Sequence, residues 1–221
     1  MTTTTPRPTD DRRHILQRRI KWIVAATIAY NLVEAVVAIT AGTVASSAAL
    51  IGFGLDSTIE VLSAAAVAWQ FTRRDPERWE KGTLRVIAVA FFALAAYVTA
   101  TSVLALVGQV DVQHSTVGIV LTALSVVIMP FLSLAEGRAG RELGSATAVA
   151  DSKQTLICTY LSVAVLAGLV VNSLLGWWWA DAVAGLVIAG FAIREGLEAW
   201  RGDACATSVG MLLEEDHDHG D

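Results

Sequence analysis

Apolar positions in this chain fall into six long runs, not into short alternating stretches or a one-sided helical rhythm. The runs cover residues 20–42, 47–71, 84–108, 116–135, 148–174 and 180–200. Each is near the length needed to cross a hydrocarbon core of roughly 30 Å. Strands of an outer-membrane barrel would instead show about ten residues of alternating polarity, and that pattern is absent. Inside lipid a segment must satisfy its own N–H and C=O groups, so an uninterrupted apolar run reads as a helix. The pattern predicts an all-α membrane protein, a six-transmembrane-helix bundle.

Composition agrees. Of 221 residues 54% are hydrophobic and 17% charged, with a mean hydropathy of +0.56. A soluble domain of this size needs more polar surface to cover its core. The first run follows an arginine-rich stretch but carries Asn31 and Glu34 in its middle and lacks a convincing cleavage site, so it reads as a retained span. Three parts are expected: a disordered cytoplasmic tail over 1–19, the six-helix transmembrane domain over 20–203, and a short His/Asp tail over 204–221. Cys158 and Cys205 do not make a disulfide framework.

Charge sets the expected orientation. Six Lys or Arg lie before or at the first span (Arg7, Arg12, Arg13, Arg18, Arg19, Lys21) and five around the second loop (Arg73, Arg74, Arg78, Lys81, Arg85). Arg138 and Arg141 follow the fourth span, and Arg194 and Arg201 close the sixth. The connections near 43–46, 109–115 and 175–179 have none. By the positive-inside rule both termini are cytoplasmic, the span count is even, and the protein is multi-pass in the inner (plasma) membrane. Trp177, Trp178 and Trp179 then anchor the outer interface.

Function is best sought where charge sits at depth, because a carboxylate at a helix centre costs about 2.5–3.5 kcal/mol on insertion scales. The segment LIGFGLDSTIEVLS places Asp56 and Glu60 near the middle of the second span, one turn apart on one face. Such a pair holds one cation between its members, or protons in its place, which is the exchange an antiporter needs. The fifth span opens ATAVADSKQTLICTYLS, where Asp151 and Thr155 repeat that spacing and Cys158 continues the stripe. Lys153 points roughly 160° away from Asp151. A site built from Asp56, Glu60, Asp151 and Thr155 offers three carboxylates and a hydroxyl. A packing hydroxyl at Thr155 and a packing thiol at Cys158 stay open as the alternatives.

Asn31 and Glu34, also one turn apart, suit a proton or access path, or a polar pairing with Lys153 or another neighbour. Asp181 reads as a cap or an interhelical bond, Glu136 as a solvated boundary charge, and Pro130 as a kink in the fourth span. His217 and His219, alternating with Asp216 and Asp218, make a flexible weak chelator or simply a solvated end.

These residues resemble the cation diffusion facilitators. SSAALIGFGLDSTIEVLSA is similar to that family's second-span signature, and GWWWADAVAGLVIA to the start of its sixth span, over roughly residues 20–203. The resemblance implies six spans, both termini inside, a homodimer, and Asp56 and Glu60 as transport-site ligands, with Glu60 in place of the usual aspartate. Two departures stand out. The family's fifth-span pair is typically His or Asp followed by Asp, against Asp151 and Thr155 here. The usual cytoplasmic metal-binding domain is not expected here, so the likeness is to the short branch without it.

The expected activity is proton-coupled efflux of a divalent transition-metal ion by alternating access. Oxygen ligands lean toward Mn²⁺ or Fe²⁺, whereas the resemblance implies Zn²⁺, Cd²⁺ or Co²⁺; Zn²⁺ is favoured. No permanent cofactor and no nucleic-acid partner are expected, only the metal, protons and the bilayer. The rivals are a proton-coupled exporter of small organic cations, which favours an aromatic-lined cavity, and a non-transporting scaffold, which leaves the intramembrane carboxylates unexplained. A membrane hydrolase needs a base and nucleophile or a zinc motif, yet His14, His114, His217 and His219 all lie outside the span centres.

Overall fold

The structure, a computed structural model, describes residues 10–71, 76–108, 112–143 and 146–201. They form six helices: α1 (Asp10–Ala45), α2 (Ala48–Phe71), α3 (Pro76–Leu106), α4 (Thr116–Leu143), α5 (Ala146–Leu175) and α6 (Trp179–Arg201). The protein is an all-α membrane bundle. Five of the helices are long and apolar enough to cross a membrane. The sixth, α6, carries Asp181, Arg194, Glu195 and Glu198 in 23 residues, and it turns a face of small residues (Ala184, Gly185, Ala189, Ala192, Gly196) into the protein. Asp181 and Glu195 lie on the packed side, whereas Arg194 is exposed near the end of α6 and pairs with Glu198 at 2.8 Å.

Neighbours pair as α1 with α2, α3 with α6 and α4 with α5, and α2 reaches α3, α5 and α6 as well. Three apolar clusters hold the bundle. One joins Ala38, Leu50, Phe53, Leu121, Leu161, Val165 and Ile188 from five helices. A second joins α3 to α6 through Phe91, Leu94, Val98, Ala189 and Ala192. The third, Leu16, Ile20, Val24 and Ala139, fastens the start of α1 to the end of α4, where Arg12 also pairs with Glu142. This last contact explains why α1 opens at Asp10, inside the segment expected to be a disordered tail. Leu16 and Ile20 find an apolar partner surface there, and that burial outweighs the polarity of the residues around them.

Glycine sets the spacing of α1 and α2. A Cβ at Gly42 would stand 2.7 Å from the Ile51 backbone nitrogen, and one at Gly54 would stand 2.9 Å from the Ile39 nitrogen. Backbone cannot yield as a flexible side chain does, so the helices approach only because both positions lack a side chain. Gly42→Ala is accordingly expected to cost about 1–3 kcal/mol, the usual range for overpacking, read as a lower unfolding temperature in detergent.

The α1–α2 connection is tight. Ser46 takes a left-handed conformation (φ 54°), and the Ser47 N–H donates to the Gly42 carbonyl at 3.0 Å. Pro130 lies within α4 without ending it. Trp177, Trp178 and Trp179 are all partly exposed where α6 begins, with Trp177 and Trp179 stacked at 5.2 Å.

Candidate functional site

A polar layer crosses the bundle between the first and third apolar clusters, halfway along α1 and α2. Its centre is Glu60. The Asn31 amide on α1 donates to Glu60 Oε2 at 2.8 Å, and the Cys158 thiol on α5 donates to Glu60 Oε1 at 2.7 Å. One carboxylate therefore joins three helices. Asp56, one turn before Glu60 on α2, is buried, and it feels the charges of Glu195 on α6 and Glu34 on α1.

Glu34 forms the neighbouring node. It accepts hydrogen bonds from Ser57 of α2 at 2.8 Å and from Ser125 of α4, and the Ser125 hydroxyl is hydrogen-bonded to that of Tyr30 at 2.8 Å. A polar neighbour, not Lys153, is thus what Glu34 finds; Lys153 is exposed, as its angle on the helix predicts. The Ser57 and Ser125 hydroxyls also lie within reach of the carbonyls four residues earlier, at 3.2 and 3.0 Å, so the one proton of each is shared between Glu34 and its own helix.

The fifth-helix stripe meets α2 at a definite level. Leu50 and Leu169 lie together beside Gly118, whereas Glu60 meets Cys158, so the two helices run antiparallel. Thr155 is buried one turn before Cys158. Asp151 stands a further turn back on the α5 backbone, about 10 Å along the axis from Cys158 and on the side away from Asp56. The side chain of Asp151 lies outside the described residues, as do His217 and His219. Among the described residues, no three His, Cys, Asp or Glu side chains are grouped as a metal cluster. Asp56 and Glu60 lie one turn apart on α2, and the Cys158 thiol meets Glu60 from α5.

Two boundary readings resolve differently. Asp181 is the interhelical bond expected of it: it is fully buried and accepts from the Ser47 hydroxyl at 2.5 Å and the Ala49 N–H at 3.4 Å, both at the start of α2. Glu136, expected as a solvated boundary charge, is only 1% exposed. Helix α4 continues seven residues past it to Leu143, packed on α5 and on the long α1, and this places Glu136 inside the bundle.

Sequence reasoning missed Glu195, Ser57, Ser125 and Tyr30. A signal for Glu195 did exist. It follows Ala192 by three positions on the same stripe as Asp181, Gly185 and Ile188, so helical periodicity directs it inward despite the adjacent Arg194. Hydroxyls at the other three positions carry no comparable mark, since serine and tyrosine are ordinary packing residues in membrane helices.

Comparison with known proteins adds two findings. The cation efflux transmembrane domain family matches residues 24–202. A cation-efflux pump of Shewanella oneidensis, FieF, is 35% identical over 78 residues, which is 35% of this chain and 26% of that protein. The chain thus matches about a quarter of the length of that curated relative.

Proposed function

The chain belongs to the cation-efflux family, and from that premise we propose that it moves a divalent transition-metal ion out across the membrane in exchange for protons. The observation that carries the reading is Glu60. It lies in the middle of the bundle with its two oxygens on groups from two other helices, one turn from the buried Asp56. Carboxylates at that depth are costly, and a site that alternates between metal and protons gives them a use.

In the proposed cycle a hydrated ion enters from the cytoplasm, sheds water and displaces protons from Asp56 and Glu60. Cys158, hydrogen-bonded to Glu60, closes on the ion from α5 as it binds, since among the described residues these three side chains are not grouped for a metal beforehand. Thr155 and Asp151, one and two turns along the same stripe, continue it toward the cytoplasmic end and receive the ion on its way in. The bundle then opens outward, where external protons compete the ion off. Protonation neutralises the empty site, and this lowers the cost of its return through a low-dielectric state. Two carboxylates with a thiol form a mixed oxygen and sulfur donor set, which suits Zn²⁺ and Cd²⁺ better than oxygen alone. Zn²⁺ is the favoured cargo.

Cytoplasmic termini, residence in the plasma membrane and pairing of two copies belong to the same proposal. The alternation of Lys and Arg supports the first, and the family resemblance supports the other two. Metal capture by the His217 and His219 tail would feed the cytoplasmic mouth.

The test is uptake by everted membrane vesicles loaded with a zinc-sensitive dye. An acid-inside pH gradient is expected to drive Zn²⁺ in, and collapsing the gradient with an ionophore to stop it. Uptake indifferent to the gradient would refute proton exchange. Cys158→Ser is expected to lower Cd²⁺ uptake by about tenfold while sparing Mn²⁺, because a hydroxyl is the harder donor. Parallel dye measurements with the two metals check it.

A further inference from the structure

We propose that Asn31 supplies a coordinating oxygen to the transported cation, so that α1 forms a wall of the site beside α2 and α5. The inference rests on Asp56 and Glu60 being cation ligands, and it adds a donor that neither their spacing nor the α5 stripe suggests.

Asn31 is 5% exposed, in the interior half of α1. Its Nδ2 donates to Glu60 Oε2. Glu60 keeps acceptor lone pairs whether ionised or protonated, so it takes the NH₂ end of the amide in either state. The other end, Oδ1, is buried, and among the described residues no donor reaches it. A buried acceptor left unsatisfied costs about 1–3 kcal/mol, and natural interiors seldom keep one without a use. An amide carbonyl is also a normal oxygen ligand for divalent ions.

Geometry makes the exchange simple. Both ends of the amide are on one rigid plane, so Oδ1 is held beside Glu60 whenever Nδ2 touches it. The terminal torsion of asparagine is broad and roughly two-fold. A half-turn therefore brings Oδ1 to the carboxylate in place of the NH₂ group. With the site empty, the NH₂ end satisfies Glu60. With a cation on Glu60, the carbonyl end turns to the ion. Asp56, Glu60, Cys158 and Asn31 then offer four donors from three helices, the number a tetrahedral ion requires. Coordination through α1 also reaches α4, because Tyr30 and Glu34, on either side of Asn31, both meet Ser125.

Calorimetric titration of the purified full chain in lipid nanodiscs with Mn²⁺ and Cd²⁺ tests the assignment. Asn31→Leu is expected to weaken Mn²⁺ by about tenfold or more and Cd²⁺ by less, since loss of an oxygen ligand hurts the harder ion most. Asn31→Asp keeps an oxygen but removes the donor to Glu60, and is expected to stay within about threefold of wild type for Mn²⁺. If Asn31 only positions Glu60, the aspartate variant will be at least as impaired as the leucine variant, and the proposal falls. It also falls if Asn31→Leu binds both ions normally. Glu60→Ala, titrated alongside, isolates the underlying reading: metal binding unaltered there, or absent in the wild-type chain, would overturn the site itself.

Discussion

Asp56→Ala is expected to reduce metal uptake by everted vesicles by at least about 100-fold while leaving the protein as stable as before, or more so. Both halves follow from the same burial. Changes one shell out from a metal typically cost 10- to 100-fold in affinity or activity, so removal of a direct carboxylate ligand should reach or exceed the top of that range. Asp56 also stands in the field of Glu195 and Glu34, each of the same sign. An alanine there removes a carboxylate that costs about 2.5–3.5 kcal/mol at a helix centre, and among the described contacts it breaks no hydrogen bond that Asp56 is shown to make. Vesicle uptake measures the first effect and the unfolding temperature in detergent the second. Residues kept for function at the expense of stability show this combination. If Asp56 were instead a polar brace between helices, its removal would lower the unfolding temperature and spare transport, and the proposed site would be wrong. Glu60→Ala should match the loss of uptake without the gain in stability, because it strands the Asn31 amide and the Cys158 thiol.

Asp181→Ala should do the reverse, with stability lost and the transport chemistry intact. The carboxylate sits in the first turn of α6 and at the same time accepts from Ser47 and Ala49 at the start of α2. Two helix N-termini, each with exposed N–H groups and a partial positive charge, thus share one anion. Ser47 in turn accepts from the Leu50 N–H at 3.0 Å, so the tight Ser46–Ser47 connection is braced from α6. Alanine leaves two buried donors without their acceptor, and each such group costs about 1–3 kcal/mol. A total loss of about 2–6 kcal/mol is expected on that scale. Asp181→Asn should lose less, because the amide keeps an acceptor for Ser47. Thermal unfolding in detergent reads the loss. Uptake at low temperature, where the variant remains folded, should approach wild type. An unfolding temperature unmoved by Asp181→Ala would show that the two helix starts do not depend on this carboxylate.

Much of the architecture was legible along the chain. Six apolar runs became six helices, with α2 matching its run within a residue at its start and ending where expected. Ends moved where packing extended a helix beyond its apolar stretch, as at α1 with Leu16 and Ile20 against α4. Asp56 and Glu60 could be singled out because a charge inside an apolar run is visible without any knowledge of neighbours, and their spacing alone puts them on one face. Asn31 and Glu34 could be paired for the same reason. Their partners could not be read this way.

What the sequence by itself determined is what depends on one helix: that it forms, where its apolar stretch lies and which residues share its face. Only the tertiary structure decided that Cys158 of α5 meets Glu60, that Ser57 and Ser125 hold Glu34, and that Glu136 turns inward. The physical reason is that a helix repeats every 3.6 residues within itself, whereas its level against a neighbour depends on distant contacts. Small residues such as Gly42 and Gly54 let backbones approach, and bulky ones such as Leu50 and Phe53 determine where that approach stops. One turn of sliding between α2 and α5 would leave every periodicity unchanged and set a different side chain against Glu60.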